Sequence, residues 1–242
     1  MNGQPTIFDL NPYAFSSVQN HQLGARVIDG FGDSWRYAKI GASNASAGQL
    51  QLAPVQKTNH HNVAATVAVT ANGLANQVTL QLGATAATAG EYNGGFLIAN
   101  DNSPEGEMYR IVSHPAAGSG ETLTVTVERP FLTSITTSSE FTLVHNSYNG
   151  VVVGTTVTIP AAGVPVVDAT AAYFGWLKTR GPVSVLIGSA ATLGADLIVG
   201  GTNGAVTDRT DALGASGEPV VGVCNIAVGV TGEYNPITLL ID

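Results

Sequence analysis

Charged residues are scarce in this chain, and their scarcity limits what its surface can bind. Asp, Glu, Lys and Arg make up 11% of the 242 residues, against roughly 25% in a typical soluble globular protein. The formal net charge is −8, and the nine Lys and Arg residues are scattered, so no basic stripe is present to neutralise phosphates. We therefore expect no nucleic-acid binding and a surface built mainly of uncharged polar and small residues.

Long apolar runs and cysteine pairs are also missing. No apolar run reaches the ~20 residues that a membrane-spanning helix needs, and the first residues, Met-Asn-Gly-Gln-Pro, carry no basic side chain. We therefore expect neither a membrane anchor nor a secretory signal. The single cysteine, Cys224, has no partner for an internal disulfide, and its apolar neighbours predict a small buried residue on a strand.

Motifs that support catalysis or nucleotide binding are absent as well. No Gly-x-Ser-x-Gly pentapeptide occurs, and the five histidines show no recognisable triad pattern with Ser and Asp. The Gly200–Gly204 segment lacks the Lys-Ser/Thr ending of a phosphate-binding loop. No aromatic platform for a sugar surrounds the glutamates that a glycosidase would need, namely Glu105, Glu107, Glu121 and Glu128. We predict that the chain is not an enzyme and uses no cofactor.

Three polar segments invite a metal or charged-site interpretation. In Asn59-His60-His61-Asn62, adjacent strand residues point to opposite faces, which favours a polar loop over a metal bound on a symmetry axis by one His from each subunit. Asp101–Glu107 begins like a calcium loop, but Val112 stands where the bidentate Glu belongs, so a hairpin turn with an acidic tip is favoured over calcium. Asp208–Asp211 is interpreted as a charged turn. We predict no metal site.

What the chain does contain is the pattern of short antiparallel strands. In Gln77–Leu82 the apolar residues alternate with Thr and Gln, and Thr122–Glu128 repeats the alternation. The 29 glycines fall singly between short apolar runs, as turn residues do. We predict an all-β protein whose short antiparallel strands form a β-sandwich or barrel-like domain, plus a smaller C-terminal β domain and an extended N-terminal arm.

The predicted division of the chain places the arm at 1–33, a β domain at 34–165 and a β-barrel-like domain at 166–242, because prolines and glycines interrupt the strand pattern after residue 159. About 30 extended residues reach on the order of 100 Å, enough to cross a neighbouring subunit. We predict that Phe8, Tyr13 and Phe15 contact another subunit; the alternative is that the arm packs on its own domain or is partly disordered.

One tetrapeptide occurs twice. Gly-Glu-Tyr-Asn stands at 90–93 and again at 232–235, each time before an apolar run. It marks either a duplicated unit or, as we favour, a hairpin turn used twice.

A longer segment resembles a known family. Tyr173–Pro182 (Tyr-Phe-Gly-Trp-Leu-Lys-Thr-Arg-Gly-Pro) is similar to the strand-and-turn sequence of tailed-bacteriophage capsid decoration, or cement, proteins. Three further segments match the same family: Trp35–Ala42, Glu218–Val223 and Leu239–Asp242. Within the first motif, we interpret Trp176 as a core aromatic rather than a binding hot spot.

The resemblance implies a structural virion protein on the capsid surface, assembled in the host cytoplasm, with a β-rich fold and no cofactor. Its expected partners are the major capsid protein and further copies of itself, as a homotrimer, with no membrane or nucleic acid involved. Phe8, Tyr13 and Phe15 would then contact the capsid or another subunit. The weakly charged composition fits a protein that reinforces a shell by repeated contacts. The alternative is a head-fibre or tail-associated module that binds a host receptor or glycan.

Overall fold

The computed structural model describes residues 10–155, 159–210, 218–226 and 230–242, and it confirms the all-β prediction. These residues contain no α-helix, and Thr58–His60 forms a single 3₁₀ turn. No helix among them is long and apolar enough to span a membrane. The strands are β1 (Arg26–Ile28), β2 (Ser34–Ile40), β3 (Gln51–Leu52), β4 (Val63–Ala64), β5 (Gln77–Gln81), β6 (Phe96–Asp101), β7 (Met108–Ser113), β8 (Thr122–Val127), β9 (Glu140–Val144), β10 (Asn149–Val153), β11 (Ala161–Gly163), β12 (Phe174–Leu186), β13 (Asp196–Val199), β14 (Val206–Asp208), β15 (Gly222–Cys224) and β16 (Tyr234–Leu240).

The chain forms two compact units, and their boundaries differ from the predicted ones. Unit 1 combines Met1–Pro54 with Gly150–Asp242, and unit 2 is the intervening segment Val55–Asn149. The predicted boundary at 165/166 falls inside unit 1, because Val164 pairs with Lys178 of β12 and so keeps the Pro-rich segment within the sheet. The prolines and glycines there mark turns of one sheet, and the actual boundaries lie at two other such signals, Pro54 and Asn149-Gly150.

Unit 1 is organised around β12, the longest strand. Its sheet has the order β11-β3-β10-β2-β12-β16-β15-β13-β14, with β1 added to β2. The first half of β12 pairs antiparallel with β2, and the second half pairs antiparallel with β16. As predicted, Trp176 on β12 is buried, and it packs edge-on against Tyr37 of β2 with 5.2 Å between ring centroids. Cys224 is buried on β15, also as predicted.

Unit 2 is a nearly closed, barrel-like antiparallel sheet of six strands in the order β4-β9-β6-β7-β8-β5. The two edge strands meet just beyond β4, where Ala65 pairs with Leu80 and the Thr66 N–H donates to the Thr79 carbonyl over 2.8 Å. Closure removes the unpaired edges of the sheet. The predicted alternation holds, since Val78 and Leu80 point into the core while Thr79 does not.

The strand directions give unit 2 two distinct ends. One end, which we call the histidine end, carries residues 55–62, 82–95, 114–121 and 145–149, including both points where the chain enters and leaves the unit. The other, which we call the apolar end, carries 65–76, 102–107 and 128–139. Residues 102–107 connect β6 to β7, so the hairpin predicted for Asp101–Glu107 is confirmed.

The repeated tetrapeptide begins with a similar glycine turn but continues differently at its two positions. Gly90 and Gly232 both adopt positive φ, 69° and 86°. After Gly90 the chain continues in turns up to β6, whereas β16 begins at Tyr234. Tyr92 is fully buried in unit 2, whereas Tyr234 in unit 1 is about half exposed. The shared feature is therefore the turn, which only Gly enters without strain, and the environments of the two tyrosines differ.

Candidate functional site

The three arm residues predicted to make contacts have different surroundings. Phe8 lies outside the described residues, and Tyr13 is exposed. The Phe15 ring lies on Gly175 of β12, at a point where any side chain would overlap it. The neighbouring Ser16 pairs with Phe174 through two backbone hydrogen bonds of 2.9 and 2.8 Å. The described part of the arm therefore packs on its own unit here, and contact with the capsid or another subunit stays a prediction.

A tight turn between β1 and β2 presents a nearly fully exposed aromatic side chain. The Asp29 carboxylate accepts hydrogen bonds from the backbone N–H groups of Phe31 (2.9 Å) and Asp33 (3.1 Å), and from the Trp35 indole (3.3 Å). The Asp29 N–H donates to the Asp33 carbonyl over 3.0 Å. This network holds the turn in one conformation, yet the Phe31 side chain at its tip is 96% exposed.

A buried lysine supports the same turn from below. Lys178 on β12 is almost fully buried, forms an ion pair with Asp33, and donates to the Pro182 carbonyl over 2.7 Å. Its ammonium lies 5.2 Å from the centroid of the Trp35 ring, within range of a cation–π interaction. The charge of Lys178 is thus fully accounted for within unit 1, and its role is to hold the turn.

A cleft of about 860 Å³ opens beside this turn, within unit 1. Its walls combine aromatic and apolar side chains with three carboxylates, and its lining includes Tyr13, Phe31, Trp35, Tyr234, Asp29, Asp33 and Asp168. Each carboxylate already accepts a hydrogen bond or ion pair from the protein; Asp168, for example, accepts from the Ala47 N–H over 2.9 Å. The cleft therefore offers surface for recognition and lacks a nucleophile paired with a base.

The segments that suggested metal binding do not assemble into a metal site. His60 is buried whereas His61 is exposed, so the two adjacent rings point apart as expected. Asp208 caps its own turn by accepting from the Thr210 N–H and hydroxyl, both over 2.8 Å. Among the described residues, no group of three or more His, Cys, Asp and Glu side chains is arranged to hold a metal ion.

The apolar end of unit 2 carries a second group of exposed apolar side chains. Leu74 is 81% exposed and Leu132 66% exposed, and a 2.9 Å backbone hydrogen bond between Phe131 and Ala75 brings their two loops together. Met108, at the start of β7, is exposed at the same end. Large apolar side chains grouped on a surface are typical of protein-interaction sites.

Sequence reasoning did not single out Phe31 or Leu74. The signal for Phe31 was present in Asp29-Gly30-Phe31-Gly32-Asp33, because an aromatic residue between two glycines at a turn has no neighbours to pack against. Assigning residues 1–33 to an arm concealed the β1–β2 hairpin. Comparisons with protein-family models, curated proteins and solved structures returned no match.

Proposed function

We propose that this chain is a structural virion protein of a tailed phage, which binds the outer surface of the capsid as a decoration or cement protein and stabilises the shell. Its proposed partners are the major capsid protein and further copies of itself, in a homotrimer. The proposed role is non-enzymatic, requires no cofactor, and places the protein on the virion surface after assembly in the host cytoplasm.

The observation that carries this proposal is the presentation of Phe31. A large aromatic side chain that is 96% exposed contributes almost nothing to folding. It nevertheless stands on a turn held by the Asp29 carboxylate and supported by Lys178. An aromatic anchor fixed before binding loses little conformational entropy on docking, and such residues dominate interface energies. Phe31 therefore suits insertion into a pocket on another protein.

Charge and fold support the same role. The 11% of charged residues leave broad surfaces of uncharged polar and small residues, which need little desolvation when they are covered. The nearly closed sheet of unit 2 has its edge strands paired with each other, which limits edge-to-edge joining of copies through this unit. Both features suit a protein that must stay rigid beside many neighbours.

The test is co-sedimentation of the purified chain with expanded capsids that lack it. We expect Phe31→Ser to weaken binding by about tenfold or more, the loss typical of a central aromatic anchor. Leu193→Ser is the matched control, because Leu193 is also in unit 1 and 65% exposed but lies outside the turn. A wild-type chain that fails to bind capsids would overturn the proposal, and equal binding by Phe31→Ser would remove Phe31 from it.

The cleft favours a second candidate, a head-fibre or tail-associated module that binds a host receptor or glycan. Aromatic side chains beside hydrogen-bonding carboxylates are groups that carbohydrate sites use, and Tyr13, Phe31 and Tyr234 all line the cleft with exposed rings. The same variants separate the two functions when they are incubated with host envelope polysaccharide. The second candidate would be favoured if the wild-type chain binds the polysaccharide but not capsids, and if Phe31→Ser loses the binding to polysaccharide.

A further inference from the structure

Three histidines are buried together at the histidine end of unit 2. His60, His114 and His145 surround the fully buried Tyr92, with centroid distances from its ring of 5.6, 5.6 and 4.4 Å. Buried imidazoles are uncommon because protonation costs more in the interior than in water. The hydrogen bonds of each ring define the protonation state that the fold accepts.

His114 is compatible only with the neutral form. Its Nδ1 faces the Pro115 carbonyl at 2.7 Å and must donate, because a carbonyl oxygen only accepts. Its Nε2 lies 2.9 Å from the backbone N–H of Tyr92 and must accept. A second proton on Nε2 would remove this acceptor and set two N–H donors against each other. Protonating His114 therefore breaks the bond to Tyr92.

His60 is fixed by the same reasoning. Its Nε2 donates to the Thr85 carbonyl over 2.8 Å, so its Nδ1 accepts from the Tyr92 hydroxyl over 2.5 Å. A proton on Nδ1 would force the hydroxyl to reverse and to serve as the acceptor. Burial, the largest influence on both rings, lowers the pKa of His60 and of His114 below the usual value.

The charges around these two rings oppose a further proton. The His145 ring places Nδ1 3.1 Å from Gln56 Oε1 and Nε2 3.1 Å from Glu91 Oε1. The Glu91 carboxylate also pairs with the Lys57 ammonium at 2.7 Å. The carboxylate that faces the cluster is thus already engaged by other groups. A positive charge on His60 or His114 would have no anion of its own.

We propose that His60 and His114 form a proton-sensitive latch that closes the histidine end of unit 2 only while both rings are neutral. His114 secures the Gly90–Asn93 turn twice, because its carbonyl accepts the Gly90 N–H over 3.1 Å and its ring accepts the Tyr92 N–H. Acidification removes the second bond and charges the interior. The turn then opens together with residues 114–117, while the strands remain paired.

The pH window follows from the sign of the pKa shifts. A histidine whose pKa is lower in the folded state binds fewer protons there than when unfolded, so the closed form is favoured at higher pH. Its stability is complete above the ordinary histidine pKa of about 6.5 and is lost as pH falls from there through the lowered folded values. The latch should therefore be closed at neutral pH and open in mild acid.

The test is hydrogen exchange of the full chain at pH 7.5 and pH 5.0, corrected for intrinsic exchange rates and read by mass spectrometry. We expect protection of residues 88–95 and 114–120 to fall by about tenfold or more, because the closed form loses its advantage in acid. Protection of β12 in unit 1 should stay unchanged. Unchanged protection at the histidine end would overturn the latch.

Two variants test whether His114 causes the loss of protection in acid. His114→Gln keeps an amide oxygen near the position of Nε2 but does not titrate, so its loss of protection on acidification should be smaller than in wild type, with His60 responsible for what remains. His61→Gln replaces an exposed histidine of the same unit and should behave as wild type. If His114→Gln does not fold, the C2-proton titrations of the wild-type histidines decide the question. His60 and His114 protonating near pH 6.5 without loss of protection would contradict the proposal.

Discussion

At the scale of single residues, several buried or half-buried charges of this protein are paired. Lys178 pairs with Asp33, Arg36 binds the Asp242 carboxylate through two hydrogen bonds of 2.7 and 2.9 Å, and Glu91 receives both Lys57 and His145. Since removing one partner leaves an uncompensated charge in the interior, each pair is more costly to break than its net contribution suggests. The chain has few charged side chains, and these paired ones stabilise the local structure around them.

Glu91 gives the clearest prediction at this scale. Burial raises its pKa, but the hydrogen bonds from His145 and Lys57 outweigh burial and lower the pKa to about 2. Because the folded value is depressed, the stabilisation is present above the ordinary value of about 4.5 and is lost as pH falls toward 2. We expect Glu91→Gln to cost unit 2 about 3 kcal/mol at pH 6, measured by urea unfolding.

That difference should shrink between pH 5 and pH 2, since protonated Glu91 and Gln are both neutral. Glu105→Gln is the control, because Glu105 is exposed on the β6–β7 hairpin of the same unit. It should leave the pH dependence of unfolding unchanged. Identical pH curves for Glu91→Gln and wild type would show that the carboxylate does not stabilise the fold.

At the scale of elements, β12 connects the parts of unit 1. It pairs with β2 and β16 along its length, carries Trp176 into the core, supplies Lys178 beneath the Phe31 turn, and receives the arm at Gly175. Because β12 has paired strands on both sides and these residues each make a different contact, we expect substitutions along it to be poorly tolerated. The segment that suggested the decoration family is therefore the structural centre of unit 1.

Gly175→Ala tests how the arm is attached to this strand. A Cβ at this position overlaps the Phe15 ring, so we expect the ring to be displaced, at a cost of about 1–3 kcal/mol in stability. Limited proteolysis should then cut faster within residues 10–24. In a Phe15→Ala background the same substitution should cost little, because the clashing ring is gone. Full additivity of the two losses would mean that Phe15 does not rest on Gly175.

At the scale of the whole molecule, each of the two compact units has apolar core residues of its own. The core of unit 2 includes Leu80, Leu97, Leu123 and Phe141, while a different set around Val185 and Leu239 fills unit 1. The second unit is inserted into the first, so the chain completes unit 1 only after passing through unit 2. Stability is therefore expected to be a property of each unit.

Calorimetry of the full chain at pH 7 should show two unfolding transitions. Because the cores are separate, Glu91→Gln should lower the melting temperature of one transition and leave the other in place. The variant Gly175→Ala is the reciprocal control, since it alters unit 1 and should move the other transition. A single transition with equal calorimetric and van't Hoff enthalpies would contradict independent units.

Several features of the fold could be predicted because they depend on near neighbours in the chain. Alternation identified the strands around Leu80 and Val125, and apolar neighbours placed Cys224 in the interior. The division into units could not be predicted, because it depends on which distant strands pair. The Phe31 turn was missed for a different reason: its β1–β2 hairpin is local in the chain, but residues 1–33 were assigned to an arm.

By itself, the sequence determined the all-β class, the alternation of buried and polar side chains and most turn positions, since backbone preference and period-two burial act within a few residues. Only the tertiary structure decided that β2 joins β12 across the inserted unit, that Phe31 stands exposed on a braced turn, and that three histidines share one tyrosine. These depend on contacts between residues far apart in the chain, and such contacts form only when the whole chain has paired its strands.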